Sequence, residues 1–312
     1  MRILFAGTPQ TAVPSLQRLH AEHEVLAVLT RAPAPVGRKR IITPSAVHIC
    51  AEELGLPVLT PRSLRDPEIR QAIIDYAPQA VAVVAYGLMI PAELLHIPTH
   101  GWINLHFSLL PRWRGAAPVQ HSIAAGDSES GTCVFQIEEG LDTGPIYDCR
   151  RTAIEAHHSA DTLLAELAIS GAIQLSDVLG DIEGQRAHLR AQTGEISYAP
   201  RITSADTRIS WQADAAHIEA RIRGWTSAPG AWTMLNNRRV KIGPVSLTTE
   251  AGIAPGHVVE RDGNILVGTA TTALRLGDVA PAGKSVMAAT QWWRGLRSDH
   301  LIFDEAEENT GE

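Results

Sequence analysis

At 312 residues the chain has room for two domains, and a hydrophobic share of 45% with 20% charged residues excludes a disordered or low-complexity protein. Its net charge of −7 speaks against a nucleic-acid partner until the distribution is followed: residues 298–312 carry −6, residues 206–297 carry +4 and residues 1–205 carry −5. No apolar run approaches the ~20 residues that cross a membrane, and the opening Met-Arg-Ile-Leu-Phe-Ala is too short for a secretory segment.

Residues 2–6 form a first short strand, and Gly7-Thr8-Pro9 turns into a helix with Pro14 in its first turn and Leu16 and Leu19 on one side. Val25–Thr30 is a second strand. Pro44–Leu54 is a helix closed by Gly55, Val58-Leu59 a short strand and Asp66–Tyr76 a helix. Ala80–Ala85 is apolar throughout, as in a strand covered on both faces of a parallel sheet. A strand from Trp102 follows, then a helix over Pro118–Ala125, strands over Thr132–Ile137 and Pro145–Arg151, and a long helix over Ser159–Leu179 capped by Ser159. This alternation predicts an α/β, Rossmann-like domain over residues 1–180 with a mostly parallel sheet.

Residues 181–205 are polar and read as a linker. Beyond them comes a helix over Ala215–Arg223. Two hairpins follow: Trp232–Leu235 and Arg239–Ile242 flank Asn236-Asn237, and Val258–Arg261 and Ile265–Val267 flank Asp262-Gly263. Short strands with tight turns predict a small β-barrel of the oligonucleotide-binding kind over 206–297, ending in a helix over Met287–Leu296. The acidic tail, 298–312, is expected to be a solvated end.

The single glycine of Gly7-Thr8-Pro9 lacks the three-glycine dinucleotide fingerprint. Cys50, Cys133 and Cys149 are scattered, which predicts a reduced, cytoplasmic protein without a disulfide framework, and no metal-ligand spacing is present. There is no Gly-x-Ser-x-Gly elbow either.

The chemistry gathers in Trp102–Gly115. If the first half is a strand, Ile103, Leu105 and Phe107 enter the core while Asn104, His106 and Ser108 share the other face. An amide donates to a developing oxyanion and an imidazole moves protons near neutral pH. The carboxylate best placed to orient the imidazole is Asp142, in the Gly-rich turn Gly140-Leu141-Asp142-Thr143-Gly144. Such a set, without nucleophile or metal, suits direct transfer between two bound substrates.

These residues carry a resemblance. Asn104-x-His106, Ser108-Leu109-Leu110-Pro111 and Gly140-Leu141-Asp142-Thr143-Gly144 resemble the signature of the 10-formyltetrahydrofolate-dependent formyltransferases. The extension through Arg112-Trp113-Arg114-Gly115, the opening Phe5-Ala6-Gly7-Thr8-Pro9 and the late Pro281-Ala282-Gly283-Lys284 are similar to the branch that acts on methionyl-tRNA. The likeness runs from residue 1 to about 297. It implies a catalytic domain that takes the formyl group of 10-formyltetrahydrofolate, with Ser108, Leu109, Leu110 and Pro111 lining the folate site. Asn104 and His106 would steady the oxyanion, and Asp142 would orient His106.

The resemblance further implies initiator methionyl-tRNA as acceptor, gripped by the basic loop carrying Arg38, Lys39 and Arg40. Arg238, Arg239, Lys241 and Lys284 of the barrel would follow the RNA backbone. A monomer that uses no membrane is expected. Other readings are a formyltransferase for an amino sugar nucleotide and a non-catalytic RNA-binding relative. The sequence departs from the family at Phe107, where glycine is usual; on a strand this side chain points away from the site.

Overall fold

The computed structural model describes residues 1–37, 39–296 and 301–304, so Arg38 and most of the acidic tail lie outside the described residues. The chain divides into two units. The first comprises residues 1–118, 129–153 and 163–200; the second comprises 119–128, 154–162 and the described residues from 201 onward.

The first unit is built on a seven-stranded sheet. In spatial order its strands are Ile146–Ala153, Glu129–Gln136, Trp102–His106, Ala80–Val84, Arg2–Gly7, Glu24–Leu29 and Val58–Leu59. The last five run parallel, and the first two form an antiparallel edge. Ala80–Val84 is buried at all five positions, which is why the sequence there is apolar without alternation. The expected helices form over Val13–Glu22, Ala46–Glu53 and Pro67–Tyr76. Ser45 and Asp66 cap the second and third, each accepting a main-chain N–H at 3.0 Å. The helix Ala160–Glu183 is, among the described residues, the one long and apolar enough to cross a membrane by length and composition, although no run of consecutive apolar residues signals it. Leu163, Leu167, Leu175 and Leu179 on one side of it are buried in the protein.

Two expectations are corrected here. Cys133 and Cys149 stand directly opposite each other on the antiparallel edge strands, with Cα atoms 4.1 Å apart, and their sulfurs are bonded; only Cys50 is free. Their separation of 16 residues gave no sign of this, because the pairing depends on strand register. The polar stretch after the long helix is not a passive linker. Residues up to 200 belong to the first unit. Arg190 pairs with Ile146 through two main-chain hydrogen bonds, and Tyr198-Ala199 runs parallel to Arg114-Gly115.

The second unit contains the helix Ala215–Gly224 and two antiparallel sheets. One holds Trp232–Leu235, Arg238–Ile242, Asp278–Pro281 and Met287-Ala288. The other holds Val245–Leu247, Leu274–Leu276, Asn264–Val267, His257–Arg261 and Leu301-Ile302. The chain passes from one sheet to the other at Gly243-Pro244 and again at Gly277, bends that turn two sheets into a small barrel. Asn236-Asn237 and Asp262-Gly263 have positive φ at both positions, as two-residue hairpin turns require. The tail expectation is corrected at its start: Leu301 pairs with Val258, and Phe303 is buried against the rings of Trp211 and Trp292. The apolar Leu301 and Phe303 were masked, in a reading by charge, by the acids around them.

Candidate active site

A cavity of ≈ 510 Å³ opens at the carboxyl ends of the parallel strands Ala80–Val84 and Trp102–His106. This is where open α/β sheets bind ligands, because the chain leaves each strand there into a loop. One wall is Tyr86–Ile90 and the other is Ile137–Asp142; Asn104, His106 and Phe107 lie between them. Met89 and Leu141 are largely exposed at this cavity. Burial pushes the Tyr86 hydroxyl well above its ordinary value, so it stays neutral.

The strand ends at His106, and its alternation ends there too. Phe107, buried, follows the last strand residue and borders the cavity. His106 is 6% exposed, with its ring edge-on to Phe135 at 6.3 Å. Its Nε2 lies 2.9 Å from the Trp113 carbonyl oxygen. A carbonyl only accepts, so Nε2 carries the hydrogen and the neutral ring keeps its lone pair on Nδ1. Nδ1 faces Asp142 Oδ2 at 3.8 Å. That carboxylate oxygen also accepts the Gly115 N–H at 2.7 Å. Asn104 borders the same end of the cavity from one turn of the pleat earlier.

Three residues around the cavity hold left-handed backbone without being glycine: Ala85 at φ 47°, Trp113 at φ 61° and Asp142 at φ 51°. Such conformations cost about 1–3 kcal/mol each and persist where surrounding contacts over-determine them. Two of the three place groups on His106: the carbonyl of Trp113 and the carboxylate of Asp142.

The structure thus brings Asn104, His106 and Asp142 together. It does not bring Ser108–Pro111 to the cavity. Ser108 is fully buried and its hydroxyl donates to the Arg112 carbonyl at 2.6 Å. Leu110 packs with Cys133, Phe135 and Ile146. This segment instead shapes the loop that aims Trp113 at His106. The cavity walls at 86–90 escaped the sequence reading, although they follow a fully buried strand and so sit where α/β ligand sites form.

Lys39 and Arg40 are exposed on the hairpin joining Ala34–Val36 to Ile41–Thr43, beside exposed Val36, Ile41 and Ile42. Arg238, Arg239, Lys241 and Lys284 all belong to the first barrel sheet or its turns. Trp232 sits across from Lys241, and the guanidinium of Arg239 lies 4.1 Å from its ring centre. Arg208 stands 5.6 Å from the same ring, a neighbour that the sequence gave no reason to single out.

The chain is similar to known proteins along both units. Residues 1–179 match the family described as formyl transferase, and residues 201–297 match the formyl transferase C-terminal domain. A methionyl-tRNA formyltransferase of Paenarthrobacter aurescens is 49% identical over 308 residues, covering 97% of this chain and 100% of its own. One from Rhodococcus erythropolis is 46% identical over 302 residues, covering 96% and 98%. Among solved structures, an N-formyltransferase of Helicobacter canadensis in complex with folinic acid and dTDP-3-aminofucose shares the fold at TM-score 0.66 and 19% identity, covering 88% of this chain and 97% of that one. Matched along nearly its whole length by relatives close to half identical, the chain belongs to the formyl transferase family.

Proposed function

We infer that the chain transfers the formyl group of 10-formyltetrahydrofolate to the α-amino group of methionine on initiator methionyl-tRNA. The observation that carries this reading is the convergence of Asn104, His106 and Asp142 at one end of a cavity with apolar walls. Relatives named for that reaction match nearly end to end.

The cavity suits a folate. Leu88, Met89 and Ile90 on one side and Ile137 and Leu141 on the other give apolar walls suited to a flat ring. We assign the folate walls to these two segments, and the 108–111 segment to support. 10-Formyltetrahydrofolate supplies an activated formyl group as co-substrate.

The residues divide the work. Asn104 donates its amide to the oxygen on which charge develops. His106 has Nε2 committed to the Trp113 carbonyl, so Nδ1 is its proton-exchanging atom. Asp142 fixes the ring and balances charge on it when Nδ1 is protonated. We take a monomer as the working unit. An aminoacyl-tRNA acceptor belongs to translation, which supports a reaction in the cytoplasm.

The hairpin around Lys39 and Arg40 offers charge and exposed aliphatic side chains to the acceptor end of the RNA. In the barrel, Trp232 with Arg239 and Lys241, and Lys284 nearby, form a surface for stacking and phosphate contact. The test is direct. Purified protein given 10-formyltetrahydrofolate and methionyl initiator tRNA should yield formylmethionyl-tRNA. Formylation of an amino sugar nucleotide in preference to the charged tRNA, or of neither, would overturn the reading.

A further inference from the structure

The segment between the long helix and the second unit passes directly behind the site. Gln192, within it, is hydrogen-bonded at both ends of its amide. Nε2 donates to the main-chain carbonyls of Asp142 at 2.7 Å and Gly144 at 2.9 Å. Oε1 accepts from Arg114 Nε at 3.2 Å and Nη2 at 2.6 Å. The orientation of the amide is forced, because carbonyls only accept and a guanidinium only donates. Arg114 is itself buried, and the residue after it, Gly115, supplies the N–H that holds the Asp142 carboxylate. Gln192 thus ties the backbone of the Asp142 turn to the loop that grips the Asp142 side chain. Asp142 needs this, since its left-handed φ of 51° is not a conformation its own chain favours.

We propose that Gln192 is a positioning residue for formyl transfer, keeping the Asp142 carboxylate aimed at His106 Nδ1. The proposal rests on the roles given above to Asp142 and His106. No other side chain of this length meets both demands. Glutamate would keep the acceptors for Arg114 but set an oxygen against two carbonyl oxygens. Methionine would match the length and make neither set of bonds.

The experiment is a double-mutant cycle with Asp142→Asn, reading kcat and both KM values, with thermal unfolding alongside. In the otherwise unchanged protein, Gln192→Met and Gln192→Glu should each lower kcat roughly 10- to 100-fold, the scale for a small misplacement of a reacting group, with both KM values within about twofold. Gln192→Glu keeps its Arg114 contact and should lower the unfolding midpoint less than Gln192→Met does, while both lose kcat alike, so stability and activity move apart. In the Asp142→Asn background, Gln192→Glu should cost less than about twofold, since residues acting as one unit do not add. Full kcat in Gln192→Glu, when Asp142→Asn is slow, overturns the proposal alone. So does an undiminished loss in the Asp142→Asn background. Full kcat in Asp142→Asn overturns the reading of Asp142 itself, and the proposal with it.

Discussion

The ring of His106 is held from behind by the main chain of Trp113, through a 2.9 Å hydrogen bond from Nε2 to the carbonyl oxygen. The ring therefore cannot turn to present Nε2 to the substrate without breaking this hydrogen bond. His106→Ala should lower the rate of formylmethionyl-tRNA formation at least ~100-fold, the usual scale for removing a general acid or base. A variant that turns over normally removes His106 from the reaction.

Gly115 is tightly enclosed. Its φ is 128°, and an added Cβ would sit 2.6 Å from the Ala199 carbonyl oxygen. Gly115→Ala should destabilise the protein by about 2–4 kcal/mol, from backbone strain and overpacking together, as read by urea unfolding. It should also lower kcat by displacing the N–H that holds Asp142. An alanine variant as stable and active as the parent would show that the Tyr198-Ala199 pairing is dispensable.

The barrel surface can be separated from the chemistry by salt. Arg239→Ala together with Lys241→Ala should raise the KM for charged tRNA and flatten its dependence on salt, each lost phosphate contact removing ~0.7–0.9 from the log–log slope. The kcat at saturating tRNA should hold. A rise in KM with an unchanged slope would leave these residues without a phosphate contact.

His23 predicts a stability effect at acid pH. Burial holds its pKa below the ordinary 6.5. The Ser176 hydroxyl donates to Glu22, so the Ser176 oxygen accepts from His23 Nε2, and the buried Nδ1 has no partner among the described residues. Protonating Nδ1 would bury an N–H without an acceptor. Between the lowered folded value and 6.5 the unfolded chain binds more protons, so this site's contribution to stability falls as pH drops below about 6.5. From pH 7 to pH 5 the unfolding midpoint should fall more steeply in the parent than in His23→Gln. Equal slopes would remove His23 from the acid response.

Periodicity along the chain made much of this fold legible. The buried strand Ala80–Val84, the caps Ser45 and Asp66 and the turns at Asn236-Asn237 and Asp262-Gly263 are local features, written in neighbouring residues. Asn104 and His106 were legible for the same reason, two positions apart on one strand. Long-range features were not. Cys133 meets Cys149 through strand register, and Gln192 reaches Asp142 across 50 residues from a stretch whose composition looks like solvent-exposed chain. Phe107 lies one residue past the end of this strand, so alternation alone does not fix the side it faces.

The return of residues 186–200 across the site also bears on where the catalytic half of this protein can be cut. The family match to that half ends at 179, but the hydrogen bonds that frame Asp142 and Trp113 arrive from Gln192 and Ser197. A fragment ending at 179 would carry Asn104, His106 and Asp142 and lack the chain segment that sets them in place. One extended to residue 200 keeps both, so the chain that frames the site is longer than the domain that its sequence pattern delimits.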